Sequence, residues 1–263
     1  MAKAFHLADS LRAGESAFLG WLCTPSADVA DVIARSGFGA VNVDMQHGWH
    51  DATAALNIIH AIVTAGKPAV VRVGVGDWSF ASRALDMGAE AIIAPMINTA
   101  ADAAALVEAV KYPPVGKRSW GPGRAMALGG FADAQAYIDW ARTGTLAIAM
   151  IETPEAVKNL EAILSVPGID GIFVGPSDLS LTMSKGTFVD GRSLLIVDTV
   201  AHILATTLKY GKIPTMYGVG PAHAKAITAA GYRLVAIGGD QDYLAKGCAD
   251  LIAAASPDGT GAR

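Results

Sequence analysis

The chain has 263 residues, 52% of them hydrophobic and only 17% charged, with a formal net charge of −4. That length supports one large core, and so apolar a composition suits many fully buried strands or extra surface buried between subunits. A mildly acidic chain without a run of Lys or Arg argues against nucleic acid or an anionic membrane surface as a partner.

No apolar stretch reaches the length needed to span a bilayer, and the opening MAKAFHLADSLRAGES lacks the apolar core and cleavage site of a secretory signal. Cys23 and Cys248 lie far apart, with no neighbouring cysteine to form a metal knuckle. Two thiols in a reducing cytoplasm are therefore expected, not a disulfide.

Eight β-rich runs follow one another along the chain: AFLGWL (17–22), AVNVD (40–44), AVVRV (69–73), AIIAP (91–95), LAIAMIE (146–152), GIFVG (171–175), IPTMY (213–217) and LVAIG (234–238). Ala-rich segments with apolar spacing near 3.6, such as DVADVIARSG and TAADAAALVEAVKY, separate them. Thr153-Pro154 reads as a helix cap followed by Pro at the first helical position, and Gly37, Gly66, Gly88, Gly211 and Gly231 read as helix stops. Strands alternating with helices in this way predict a parallel α/β fold, and the count and length predict a single-domain (β/α)8 TIM barrel. Its bounds are 1–255, with the polar end 256–263 as a flexible tail. TPSADV, after the first run, has none of the glycines of a dinucleotide-binding turn.

A barrel assembles its chemistry at the C-terminal ends of the strands. The second run ends in Asp44, Gln46 and His47, the third in Arg72, and the fourth in Pro95 and Met96. Glu152 follows Met150 in the fifth, and Gly175, Pro176, Ser177 and Asp178 end the sixth. Tyr217 ends the seventh, Gly238-Gly239-Asp240 the eighth, and Trp21 in the first run is a further candidate. An Asp after a strand commonly caps a turn or helix, which is the reading for Asp240 and an alternative for Asp178. Arg72 and Glu152 stand in apolar runs, where an unpaired charge is costly, so each needs an ion pair or a ligand. Glu152 and Asp178 supply hard oxygens from adjacent strands, suited with waters to Mg²⁺ or Mn²⁺. A dication beside an arginine suits an enolate, with a histidine moving protons. No Lys stands at a strand end, where Schiff-base chemistry would need one.

These motifs resemble the HpcH/HpaI aldolase family, the metal-dependent class II pyruvate aldolases such as 4-hydroxy-2-oxoheptanedioate aldolase. The similarity runs through GWLCTPS, DMQHG, VVRV, ALDMGAEAIIAPMI, KYPPVGKRSWG, MIETPEAVKNL and GIDGIFVGPSDLS to AIGGD, with IET and the later GPSDLS its most specific pair. The resemblance implies reversible cleavage of a 4-hydroxy-2-oxo acid to an aldehyde and pyruvate, or hydroxypyruvate. It implies that Glu152 and Asp178 bind the divalent ion (Mg²⁺, Mn²⁺ or Co²⁺). The amides of Ser177 and Asp178 would hold the pyruvate carboxylate, Arg72 the enolate oxygen, and His47 would deprotonate the aldol hydroxyl through a water. It further implies that Asp86, in ALDMG, comes from a neighbouring subunit to raise the basicity of His47. Sequence distance alone selects Asp44 for that partnership.

The resemblance also implies a homo-oligomer, a hexamer built from dimers that exchange a C-terminal helix, and the apolar DYLAKGCADLIAAA is consistent with this. Two positions depart from many family members: Gln46 stands for Glu and Met150 for Gln. Both bear on the substrate more than on the reaction. Two other readings remain. A CoA-ester lyase of the citrate-lyase β or malyl-CoA type would need a basic site for the CoA phosphates. A barrel enzyme binding a phospho-sugar would need amide cradles after strands seven and eight, of which AIGGD supplies one and YGVGP none.

Overall fold

The computed structural model describes residues 5–256. Strands β1 (Ala17–Leu22), β2 (Ala40–Asp44), β3 (Ala69–Arg72), β4 (Ala91–Ala94), β5 (Leu146–Ile151), β6 (Gly171–Val174), β7 (Ile213–Gly218) and β8 (Leu234–Ile237) close into one barrel in sequence order. Neighbours are parallel all the way round, including β1 with β8. Helices lie between the strands, so the fold is the (β/α)8 barrel that the alternation predicts.

Successive strand side chains point to opposite faces, and the two faces bury different partners. Leu19, Ala40, Val70, Ala91, Leu146, Ile148, Phe173, Ile213 and Leu234 fill the barrel interior. The intervening residues, Val41, Val43, Val71, Ile92, Ala147, Ala149, Ile172, Val174 and Val235, pack outward with the apolar stripes of the helices. This strict alternation decides which side chain at each strand end can enter the barrel mouth.

The opposite end is closed by the helix Leu7–Arg12, whose Leu7, Ala8 and Leu11 join the interior core. Fully buried Glu90 fastens it: the carboxylate accepts the backbone N–H groups of Leu7, at 2.9 Å, and of Phe5. Burial pushes the Glu90 carboxyl up to about 7, although those amides oppose the shift. A second ion cluster, Arg12 and Lys111 on Asp170, ties this end to the sheet.

Local signals behave as read. The Thr153 side chain accepts from the Ala156 amide with Pro154 at the start of the helix, and Gly88 ends the helix Trp78–Met87 in the left-handed region at φ 118°. The helix Asp240–Ala255 is attached differently. Only Asp240 is buried on it, while Leu244, Leu251 and Ile252 are exposed, so its apolar face has no cover among the described residues. From residue 257 onward the expected tail lies outside the described residues. No helix among the described residues is long and apolar enough to cross a membrane.

Candidate active site

The inward parity of each strand carries one residue further at its C-terminal end: Cys23 after Trp21, Asp44 after Asn42, Arg72 after Val70, Glu152 after Met150, Gly175 after Phe173, and Tyr217 after Thr215. A cavity of about 370 Å³ opens there. Of the sequence candidates, Trp21, Asp44, His47, Arg72, Met150, Gly175, Pro176, Ser177, Asp178 and Tyr217 line it; Glu152, Gln46 and Asp86 do not.

Asp44 and Arg72 are register partners on β2 and β3, and their side chains meet on the inner face. Arg72 Nε donates to Asp44 Oδ1 at 2.9 Å and Nη2 to Oδ2 at 2.6 Å, a two-pronged pair that compensates the charge of the mostly buried guanidinium. Trp21 Nε1 adds a third donor to Oδ2 at 3.1 Å, and the guanidinium stacks 4.8 Å from the Trp21 ring centre. Burial opposes ionisation of Asp44, but the hydrogen bonds and charge of Arg72 outweigh it and hold the carboxyl below its usual range. The remaining terminal nitrogen, Nη1, makes no hydrogen bond to protein among the described residues, which leaves it for a ligand.

The stretch after β2 turns back tightly. Asp44 Oδ1 accepts the backbone N–H of Gln46 at 3.1 Å and of His47 at 3.2 Å, and a side chain on Gly48 would meet the Asp44 carbonyl at 2.2 Å. Trp49 N donates to the Cys23 carbonyl and His50 Nε2 lies 3.1 Å from the Leu22 carbonyl, which pins the turn to β1. This lifts the His47 ring to the rim, where it is exposed to solvent. Asp44 therefore binds the backbone of His47 and not its ring. Gln46 buries its Oε1 without a protein partner.

Glu152 lies beneath the cavity floor, 3% exposed. Its Oε1 accepts the Met96 amide at 2.7 Å, and Met96 adopts the left-handed conformation, φ 56°, where a side chain is uncommon. Its Oε2 faces Gly175, where an added Cβ would stand 2.6 Å away. Burial pushes the Glu152 carboxyl up to about 7, with the Asp178 charge adding to the rise while the Met96 amide and Arg72 oppose it. Asp178 is exposed at the third position of the helix Pro176–Met183, so Ser177 and Asp178 offer amides from a first turn that begins with Pro.

Among the described residues no three His, Cys, Asp or Glu side chains gather as a ready metal cage. The donor set present is two carboxylates, Glu152 and Asp178, near enough for the charge of one to raise the other, with a Glu152 oxygen kept clear by Gly175; it suits a hard dication that completes its shell with waters and substrate oxygens. His47 and Arg72 flank the same cavity.

Asp86 stands elsewhere. Its Oδ1 accepts from Arg118 Nη2 at 2.6 Å, and Arg118, its side chain fully buried, stacks 4.6 Å over Tyr112. Sequence reasoning did not find this pair. It also missed Cys23, whose Sγ lies 3.8 Å from Asp44, and the reach of Asp240 to the amides of Cys23 and Thr24 at 3.2 and 2.8 Å. The parity of AFLGWLC was a usable signal for Cys23. Asp240 is not the cap that the sequence suggests: Gly239 is the N-cap and Asp242 binds its amide, while the Asp240 carboxylate closes the β8–β1 seam.

A family model described as HpcH/HpaI aldolase/citrate lyase matches residues 18–246. The chain belongs to that family. It is 36% identical to a hydroxypyruvate/pyruvate aldolase of Rhizorhabdus wittichii, over 91% of this chain and 94% of that one. A 4-hydroxy-2-oxovalerate aldolase of Novosphingobium aromaticivorans is 34% identical, covering 92% and 90%. The crystal structure of an HpcH/HpaI aldolase/citrate lyase family protein from Burkholderia cenocepacia superimposes with a TM-score of 0.84 at 28% identity, covering 94% of this chain and 98% of that one. A citrate lyase β subunit from M. tuberculosis stands further off, with a TM-score of 0.54 at 17% identity over 87% and 94%, and shares the fold alone.

Proposed function

We propose that the protein is a divalent-metal-dependent aldolase that reversibly cleaves a 4-hydroxy-2-oxo acid to an aldehyde and pyruvate or hydroxypyruvate. Family membership and the named aldolase relatives support the reaction class. The observation that carries the reading is one cavity shared by a half-engaged arginine, Arg72, an exposed histidine, His47, and Asp178, with the Glu152 carboxylate behind Gly175 of its lining.

Glu152 and Asp178 would hold the cation, Mg²⁺, Mn²⁺ or Co²⁺, which when bound supplies Lewis-acid polarisation of the 2-oxo group. The chain's own residues do the rest. The amides of Ser177 and Asp178 bind the substrate carboxylate at the start of the helix Pro176–Met183. In cleavage, His47 accepts the proton of the C4 hydroxyl through a water, that O–H electron pair becomes the aldehyde carbonyl, and the C3–C4 pair moves into the enolate. Arg72 Nη1 donates to the enolate oxygen, with its fork held in place by Asp44. Protonation at C3 then gives the methyl or hydroxymethyl group of the product. The steps in reverse form the C–C bond.

The carboxylate of Asp86 would come from a neighbouring subunit to His47, within a homo-oligomer, a hexamer, whose dimers cover the exposed face of the helix Asp240–Ala255. The free thiols of Cys23 and Cys248 are compatible with a cytoplasmic setting. The CoA-lyase reading finds no support, because among the described residues Arg72, engaged by Asp44, is the one Arg or Lys lining the cavity. The phospho-sugar reading fares no better, since Asp240 and Asp242 occupy the start of the helix after β8.

Mixing purified protein with pyruvate or hydroxypyruvate and an aldehyde panel, with EDTA and then with each ion restored, tests the proposal. Aldol product that disappears on chelation and returns with the ion is expected. Undiminished activity after exhaustive chelation overturns the metal assignment.

A further inference from the structure

Apart from His47, which follows β2 next to β1, the reacting groups occupy one half of the cavity. Arg72, Met150, Gly175, Ser177 and Asp178 belong to β3, β5 and β6 or their loops. A substrate anchored there by its oxo-acid end extends toward the other half, built by β7, β8 and β1. That wall consists of Cys23, Tyr217, Gln241, Asp240 and Asp242. Among the described residues it holds two carboxylates and no lysine or arginine.

Both carboxylates are fixed. Asp240, 1% exposed, accepts from the amides of Cys23, Thr24 and Gln241 and from Thr24 Oγ1 at 2.5 Å. Asp242 accepts the Gly239 amide at 3.0 Å. The other two groups keep their protons: burial and then the Asp44 and Asp240 charges push the Cys23 thiol up to about 12, while burial and then Asp242 push Tyr217 to about 12. Carboxylates only accept hydrogen bonds, and Asp242, exposed with one oxygen unused, rewards a hydroxyl donor, while its charge, backed by that of Asp240, repels a second anion.

Resting on the aldolase reading, we infer that the acceptor is an uncharged, hydroxylated short-chain aldehyde, and that Asp242 with Asp240 excludes acceptors bearing a carboxylate or phosphate. The inference separates this chain from an aldolase for a dicarboxylate, whose semialdehyde product would set its distal carboxylate against these two aspartates.

The full chain with Mn²⁺ and pyruvate is assayed against glyceraldehyde and glycolaldehyde, and against succinic semialdehyde and glyceraldehyde 3-phosphate. At least a tenfold higher kcat/KM is expected for each neutral aldehyde over each anionic one. Asp242→Asn, which keeps an oxygen for the Gly239 amide, narrows the ratio several-fold. Gln241→Lys, a change at an exposed position, narrows it by raising kcat/KM for the anions. Succinic semialdehyde or the phosphate used as well as the neutral aldehydes overturns the inference, as does a ratio unmoved in both variants. Exchange of the pyruvate methyl protons in D2O, followed by NMR, separates the two levels. Exchange without addition to any neutral aldehyde overturns the acceptor assignment alone, and absence of both overturns the aldolase reading as well.

Discussion

Arg72 and Asp44, neighbours in the β2–β3 register, share two hydrogen bonds of 2.9 and 2.6 Å, and Asp44 is 1% exposed. The pair answers for both residues at once: the arginine is oriented with one terminal nitrogen left for a ligand, and the aspartate is fully subscribed. Asp44→Asn should therefore damage activity and stability together. Removing one partner of a buried pair costs about 3–5 kcal/mol, because the other charge is left without compensation. Urea unfolding of the purified variant checks this, and a loss below about 1 kcal/mol would mean that the guanidinium finds another partner.

Arg72→Lys keeps the charge and loses the fork. A lysine cannot reproduce two parallel bonds to Asp44 while donating a third toward substrate. A drop of about 10²–10³ in kcat is expected, the magnitude for a missing oxyanion donor. Steady-state kinetics decide, and a variant within a few-fold of wild type reassigns Arg72 to a purely structural pair.

Gly175→Ala should act on the cation site without replacing a ligand. Its Cβ would stand 2.6 Å from Glu152 Oε2 and 3.0 Å from the Met150 methyl, so the carboxylate must move. Metal affinity, measured by titration calorimetry, is expected to fall about 10–100-fold, as when a group supporting a ligand is lost. Unchanged affinity would place the cation away from Glu152.

The far end of the barrel carries its own pH dependence. The folded-state value for Glu90, about 7, lies above its ordinary 4.5, so its contribution to stability is fully present below about 4.5 and is lost as pH rises through 7. The difference corresponds to roughly 3 kcal/mol. Unfolding free energies of wild type and Glu90→Gln, compared from pH 4 to pH 8, should diverge across that window. Parallel curves would show that the unfolded chain perturbs Glu90 equally.

Much of this architecture was legible in the chain. AVNVD and LAIAMIE carry the period of two that aims Asp44 and Glu152 inward, and the eight strands lie within a residue of their expected ends. Contacts made by main chain were not legible. The Met96 amide on Glu152 depends on a left-handed turn at a non-glycine residue, which no residue type announces. Nor was the Arg118–Asp86 pair, because it joins a helix to a loop 32 positions away, and only the folded surface fixes that distance.

That pair sharpens the question of what Asp86 does. Within its own chain it anchors the buried Arg118 and does not line the cavity, whereas the proposed mechanism brings its carboxylate to His47 across a subunit boundary. Mixed oligomers separate the roles. His47→Ala should be inactive in cleavage and Asp86→Asn should keep only a small residual rate, yet refolded together they should form some sites with both native residues, recovering up to about a quarter of wild-type activity by random pairing. If Asp86 only anchors Arg118, Asp86→Asn subunits keep their defect in every combination and mixing restores nothing. The pH profile gives an independent readout. An adjacent carboxylate favours the imidazolium, so Asp86→Asn should lower the apparent pKa of cleavage, which loss of an anchor alone would not do. No recovery despite subunit exchange verified by mass spectrometry, together with an unshifted profile, would remove Asp86 from the reaction and leave His47 to act without a carboxylate partner, since both oxygens of Asp44 are already engaged.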